Sequence, residues 1–351
     1  MRYRKVLCVL CALSVVLTAL TGCGGEKASD PKGRSYFSYF DTVSYVYSYA
    51  GDSAESFDRL SAEASAILGE YHRLFDIYHE YEGVANLCTV NKNAGSSAVS
   101  VDEELIDFLL YAKKLYTLTN GEFNVMLGSV LSLWHDCREE AEASPASAHV
   151  PDDALLAEAA KHTDIELLKI DEAAKTVFIA DPDASIDVGA LGKGYATEMA
   201  ARKLSSLGAD GYVLNVGGNI RIIGARPDGS GWVTGVKDPQ APEERLALKL
   251  DIKNTSCVTS GVYERYFSAD GVRYHHIIDK DTLYPSSYYS SLTVLTEDSG
   301  LADALSTALF CMSADEGRAV IEKLPQSIDV VWIYPDGSIE MTDGAKAHIT
   351  E

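Results

Sequence analysis

Four segments in the C-terminal half carry residue types that suit phosphate and metal chemistry. They are Ser185-Ile-Asp-Val-Gly-Ala-Leu-Gly-Lys-Gly-Tyr195, Asn215-Val-Gly-Gly-Asn219, Thr259-Ser-Gly-Val-Tyr-Glu-Arg265 running on to His275-His-Ile-Ile-Asp279, and Ala302-Asp-Ala-Leu-Ser-Thr307. Glycine admits a ligand close to the backbone, lysine pairs phosphate charge, and Asp and Thr oxygens suit a hard cation. The set fits a polyphosphate ligand held with a divalent metal. One such segment is weak evidence, but four in one chain mark a site.

Each segment also has a plainer reading. Gly189-Ala-Leu-Gly192-Lys193-Gly194 is not a Walker loop: two residues separate its first glycines, and Gly194 follows the lysine where Ser or Thr is required. What remains is a glycine loop opening onto a helix N-terminus, which favours an anion, or a strand-to-helix turn with a surface lysine. Asp187 would repel an anion unless it bonds another ligand group or a backbone N–H. Asn215–Asn219 is a tight turn or a place of close ligand approach. His275 and His276 are neighbours on a strand and point to opposite faces, so one faces the site and the other packs or meets solvent. A near-neutral pKa makes histidine the usual general base. Asp303 and Thr307 share one face at the head of a helix expected from Ala302. They offer two oxygens to Mg²⁺, or they are a helix-dipole partner and a packed Thr.

The elements that must position these residues alternate irregularly, which predicts an α+β fold with mixed, largely antiparallel sheets and flanking helices. Strands are expected at Phe37–Tyr49, Gly211–Val216, Ile220–Ile223, Trp232–Val236, Leu246–Ile252, Ser256–Val262, Gly271–Ile278 and Ser291–Thr296. Hairpins are expected at Ile165–Ile170 with Thr176–Ile179, and at Val330–Tyr334 with Ser338–Met341. Helices are expected at Ala54–Leu74, Leu105–Leu118, Leu155–His162, Gly192–Ser206 and Ala302–Phe310. Glu139–Pro151, rich in Ala, Ser and Glu, reads as a surface insertion.

Upstream, Arg2, Arg4 and Lys5 precede an apolar run from Val6 to Leu20 and then Leu20-Thr-Gly-Cys23. This reads as a secretion signal over residues 1–22, too short for the ~20 residues of a spanning helix. The Leu-Thr-Gly-Cys ending resembles a bacterial lipobox, which makes Cys23 the lipidated residue and residues 23–35 a flexible tether. The remaining domain, 36–345, is then exported and held at the extracytoplasmic face of the membrane. A net charge of −22 argues against nucleic acid and against electrostatic docking on anionic lipid. Any anionic ligand must meet a local positive site. Cys88, Cys137, Cys257 and Cys311 show no metal-like spacing, and Cys257 and Cys311 read as small buried hydrophobes.

Taken together, the segments resemble the FAD:protein FMN transferase (ApbE) family, over roughly Tyr36 to Thr342. Phe40-Asp-Thr42 looks like that family's opening strand motif, and Gly121-Glu-Phe-Asn124 with Leu127-Gly128 and Leu133-Trp134 like its flavin-contacting segment. The resemblance implies an enzyme that moves the FMN moiety of FAD to a Thr or Ser hydroxyl of an acceptor protein, releasing AMP. It implies a flavin site lined by Phe40, Tyr78, Glu122, Phe123, Asn124, Asp187, Lys193 and Ile277. It implies Mg²⁺ on the Ala190 carbonyl, Asp303 and Thr307, and His276 as base. The acceptor would be a protein of a membrane or extracellular redox system. The chain departs where the family often has Ala and Asp in place of Glu122 and Asn124, and Pro in place of Lys280. The first change bears on adenine or ribose contacts, and the second is expected to loosen the turn beyond His276. Three alternatives remain: an FAD pyrophosphatase with water as acceptor, a flavin-carrying lipoprotein without catalysis, and an unrelated solute-binding lipoprotein.

Overall fold

The computed structural model describes residues 31–241 and 245–350. The signal and Cys23 lie outside the described residues.

The central sheet is built from eight strands: β1 (Lys32–Tyr39), β2 (Thr42–Ser48), β3 (Tyr212–Val216), β4 (Asn219–Ile223), β5 (Ser256–Gly261), β6 (Ser291–Thr296), β7 (Asp329–Ile333) and β8 (Ile339–Met341). Every neighbouring pair is antiparallel, and the order across the sheet follows the order along the chain. Side chains alternate between the faces with the period of two that a strand imposes. One face, with Val46, Leu214, Val216, Val258, Val294 and Trp332, is buried in the main core. Four helices share that core: α1 (Ala54–Phe75), α2 (Glu103–Leu118), α4 (Gly192–Ser206) and α5 (Ser299–Ala308). The other face, with Ile222, Cys257, Leu295 and Val331, packs on a three-stranded sheet that carries Trp232, Leu250 and Ile252. A third cluster joins α3 (Gly128–Ala143) to a two-stranded ribbon, Tyr266–Ala269 with Val272–His275.

The α+β architecture is as expected, but several boundaries differ. The stretch Phe37–Tyr49 is not one strand, because a two-residue turn at Phe40 and Asp41 separates β1 from β2. Both residues have positive φ, 54° and 51°, without the Gly or Asn that usually announces such a turn. Pairing begins at Lys32, so residues 32–35 belong to β1 rather than to a free tether. Glu139–Pro151 is not wholly an insertion: Glu139–Ala143 completes α3, as an Ala- and Glu-rich stretch readily does. The ribbon ends at His275, and of the last expected strand residues only Ile278 is paired, in an isolated antiparallel bridge to Pro285. Helix α5 starts at Ser299, where Asp298 caps Leu301 N–H at 2.9 Å, so Asp303 lies in the second turn rather than at the head. Cys88, Cys137, Cys257 and Cys311 are all buried and free.

Candidate active site

The site is organised where α4 crosses α5. Gly194 sits at the crossing: a Cβ there would fall 2.4 Å from both Asp303 Cβ and the Ser299 carbonyl oxygen. The two helices can approach only because this residue is glycine. The contact also satisfies a first-turn N–H, one of those a helix leaves without an intrahelical acceptor. Gly194 N–H donates to Asp303 Oδ2 at 2.8 Å, and among the described residues nothing donates to the Ala190 carbonyl just before the helix. Asp303 is 5% exposed, and among the described residues it has no cationic partner and no donor to Oδ1. Thr307, one turn on and half-buried, likewise leaves Oγ1 without a protein partner among the described residues. Three oxygens of the kind a hard divalent cation takes are thus uncommitted on two adjoining elements, and this donor set fits Mg²⁺.

A buried ion pair supports the crossing. Arg221 Nε on β4 donates to Glu198 Oε2 on α4 at 3.1 Å, and both are about 5% exposed or less. The same carboxylate takes the Ser299 N–H at the start of α5, while Arg202 reaches both Glu198 and Asp298 at 2.9 Å. Breaking a buried pair strands one charge and costs about 3–5 kcal/mol. The network therefore pins α4, α5 and the sheet in one arrangement.

The glycine loop before α4 folds back on Asp187. Asp187 Oδ1 accepts from Gly189 N–H at 2.7 Å, and Asp187 N–H donates to the Val125 carbonyl at 2.8 Å. The carboxylate that would repel an anion is thus partly spent on backbone, as the sequence requires of it. Burial pushes its pKa up, opposed by the Gly189 N–H and by Arg265, His135 and Lys193. Lys193 lies in the first turn of α4, half-buried, with Nζ 3.4 Å from the Gly189 carbonyl.

The two histidines separate as strand geometry demands. His275 is buried against Phe310, with Nε2 2.9 Å from the Ser286 carbonyl and Nδ1 3.2 Å from Ile277 N–H. That pattern fits a neutral ring with its proton on Nε2. His276 is exposed, its N–H tied to the Arg265 carbonyl at 3.0 Å, and its ring makes no hydrogen bond among the described residues. Desolvation by the surrounding protein, with Arg265, Lys193 and Arg138 nearby, holds its pKa below the ordinary histidine range. An imidazole with uncommitted ring nitrogens beside these cations can accept a proton.

The remaining residues of the expected flavin site divide into two groups. Phe40 and Tyr78 are accessible. The strained Phe40 turn is held by Phe40 N–H donating to His72 Nδ1 at 3.3 Å, and the Phe40 ring meets the His72 ring edge-on. Tyr78 is 56% exposed and stacks on His135 with centroids 5.4 Å apart. Phe123 and Ile277, in contrast, are buried, so any ligand contact from Phe123 comes from its backbone. The Ile277 backbone is already used, N–H to His275 and carbonyl to Ser286 N–H. Asn124 caps Met126 N–H and donates to the Thr163 carbonyl. Asn215–Asn219 holds the tight turn between β3 and β4, joined to the start of β2 through Gly217 N–H to the Val43 carbonyl at 3.2 Å.

Glu122 and Lys280 face one another, Nζ to Oε1 3.1 Å. The turn beyond His276 is not loosened by Lys280: Asp279 Oδ1 accepts from the N–H groups of Asp281 and Thr282 at 2.8 and 3.0 Å. Trp134 Nε1–H also donates to the Leu283 carbonyl at 2.9 Å. Sequence reasoning missed His135 and Arg138 on α3 and gave Arg265 no role. Arg138 Nη2 lies 2.7 Å from His135 Nδ1, and these groups bear electrostatically on Tyr78, Asp187 and His276. Arg138 and Arg265, with Lys193, set positive charge beside His276. A basic pair three apart in an otherwise acidic helix was the available signal. His162, Asp181 and Asp183 form a separate surface group with metal-like spacing, but there His162 simply pairs with Asp181 at 2.7 Å.

The chain is similar to known proteins over most of its length. The ApbE family model matches residues 41–332. An FAD:protein FMN transferase of Treponema pallidum (strain Nichols) is 30% identical over 97% of this chain and 95% of that protein. One of Vibrio cholerae is 30% identical over 87% and 88%. Among solved structures, the ApbE protein of Thermotoga maritima superposes with a TM-score of 0.78 at 28% identity, covering 92% of this chain and all of the other. The flavin transferase ApbE of Vibrio cholerae gives 0.74 at 25% identity, covering 91% and 99%.

Proposed function

The chain belongs to the ApbE family, and on that premise we propose that it is an FAD:protein FMN transferase. A Thr or Ser hydroxyl of an acceptor protein attacks the FMN phosphorus of FAD. A phosphoester bond forms, the diphosphate bond to the adenylate breaks, and AMP leaves. His276 takes the hydroxyl proton at its ring nitrogen. Lys193 supplies positive charge beside the diphosphate, and Phe40, Tyr78 and Asp187 line the flavin site. Ala190 through its carbonyl, Asp303 and Thr307 would hold Mg²⁺. When bound, that cation offsets charge building on phosphate oxygens. The observation that carries the proposal is that three metal-type oxygens, the Ala190 carbonyl, Asp303 Oδ1 and Thr307 Oγ1, stand uncommitted among the described residues where the Gly194 N–H ties α4 to Asp303 of α5.

The test incubates the detergent-purified chain with FAD, Mg²⁺ and an acceptor domain carrying an Asp-Gly-x-Thr-Gly-Ala-Thr segment. The expected result is an acceptor mass gain matching FMN, abolished by a chelator. AMP and free FMN without a mass gain would overturn transfer in favour of hydrolysis. Neither product would leave a flavin carrier.

The acceptor is expected to belong to a membrane or extracellular redox system, and Cys23 would anchor the enzyme by lipid on the extracytoplasmic side. The lipobox-like Leu20-Thr-Gly-Cys23 supports this. The full chain should partition into the detergent phase, and Cys23→Ser should move the unlipidated chain out of it. Unchanged partition, with no acyl mass on the wild type, would refute the anchor.

A further inference from the structure

We infer that the Glu122–Lys280 pair is a positioning latch that sets the separation of two walls of the cleft. The inference rests on the reading of the cleft as an FAD site.

Lys280 is four residues beyond His276, on the turn that carries the base away from the ribbon. Glu122 belongs to the loop after α2. That loop is rigid in its own right: Gly121 N–H donates to the Tyr116 carbonyl at 2.8 Å, Glu122 N–H to the Thr119 carbonyl at 3.2 Å, and Phe123 N–H to Thr119 Oγ1 at 3.0 Å. Its far end accepts the Asp187 N–H at the Val125 carbonyl. One loop therefore touches the Asp187 wall covalently fixed to the α4 glycines, and the other carries His276. The Lys280 to Glu122 contact, 3.1 Å, is the charged link between them.

The pair is also well placed to hold. The side chains are only 27% and 17% exposed, so water screens them less than a surface pair. Burial pushes the Glu122 carboxyl pKa up, and Lys280 opposes this. Lys280 additionally reaches both oxygens of Asp281 at 2.8 Å, which keeps its ammonium facing the turn when Glu122 is removed. Among the described residues Glu122 has no second cation, so it depends on Lys280 more than the reverse. A latch of this kind changes how well the open cleft is preorganised for its ligand, not the proton transfer itself.

The test compares the full chain with Glu122→Gln, Lys280→Gln, and the reversed pair Glu122→Lys with Lys280→Glu. FAD affinity is read by quenching of flavin fluorescence, together with kcat and KM for transfer and the thermal midpoint. Each single variant should weaken FAD binding and raise KM by about tenfold with kcat within about twofold, and the reversed pair should recover most of the affinity. Singles that bind FAD as the wild type does would overturn the latch. So would a folded reversed pair as weak as the singles. If the reversed pair does not fold, Lys280→Arg replaces it: the longer cation should keep affinity within about threefold of wild type, and a loss equal to that of Lys280→Gln overturns the latch. Failure of the wild type to bind FAD would instead overturn the reading of the cleft, and it is seen before any variant is compared.

Discussion

His276→Ala should lower FMN transfer by roughly 10²–10⁴-fold while leaving FAD affinity within about twofold. The ring makes no hydrogen bond among the described residues and only its backbone is tied down, to the Arg265 carbonyl. Truncation therefore removes a proton acceptor without removing a support. His275→Ala is the contrasting control. Its ring bridges the Ser286 carbonyl and Ile277 N–H inside the protein, so its loss should lower the thermal midpoint before it affects chemistry. The pH dependence has a definite sign. Desolvation and the neighbouring cations depress the His276 pKa from 6.5, and the neutral, base-competent ring is the form present above that pKa. Transfer should therefore persist as pH falls through 6.5 and fail only at lower values. Steady-state transfer with paired FAD-binding titrations checks this. Full turnover by His276→Ala, or an acid limb assigned to His276 at or above 6.5, would remove the residue from its role.

The second large effect is expected at Asp303. Asp303→Ala would conflate two losses, because Oδ2 also receives the Gly194 N–H that fastens α4 to α5. Asp303→Asn separates them. Its amide oxygen can still accept from Gly194, so the crossing and the thermal midpoint without metal should be close to wild type. The negative charge is gone, and with it most of the affinity for a hard cation. Transfer should fall by roughly a thousandfold, the effect of several kcal/mol. A second readout does not depend on turnover: Mg²⁺ should raise the wild-type thermal midpoint and leave that of Asp303→Asn unmoved. An equal Mg²⁺ shift in both chains would place the metal elsewhere.

Much of this site was legible as residue types in order. Asp187, Lys193, His276, Asp303 and Thr307 stand out because glycines, carboxylates and a histidine in tight clusters have few structural reasons to be there. The helix Gly192–Ser206 and the strands Leu246–Ile252 and Ser291–Thr296 have the bounds that periodicity gave them. Other features were invisible for physical reasons. The Phe40 turn uses positive φ in residues that rarely adopt it, and its support, His72, is 32 positions away. Phe123 and Asn124 read as ligand contacts, yet burial and a cap occupy their side chains. The two departures at Glu122 and Lys280 looked independent along the chain and prove to be partners in space.

By itself the sequence determined the local terms: which stretches are strand or helix, where glycine permits close approach, and the opposed faces of His275 and His276. These follow from backbone periodicity and from side-chain chemistry, which need no distant partner. Tertiary structure alone decided which groups remain free to act. The first-turn N–H of Gly194 finds its acceptor in Asp303, from a helix more than a hundred residues on, and that contact sets Asp303 Oδ1 beside the glycine loop. The positive charge near His276 comes from Arg265, Lys193 and Arg138, which lie on three separate elements brought together by the fold. Hydrogen bonds are exclusive and charges act through space, so a residue's availability is a property of the packed whole rather than of its neighbours in the chain.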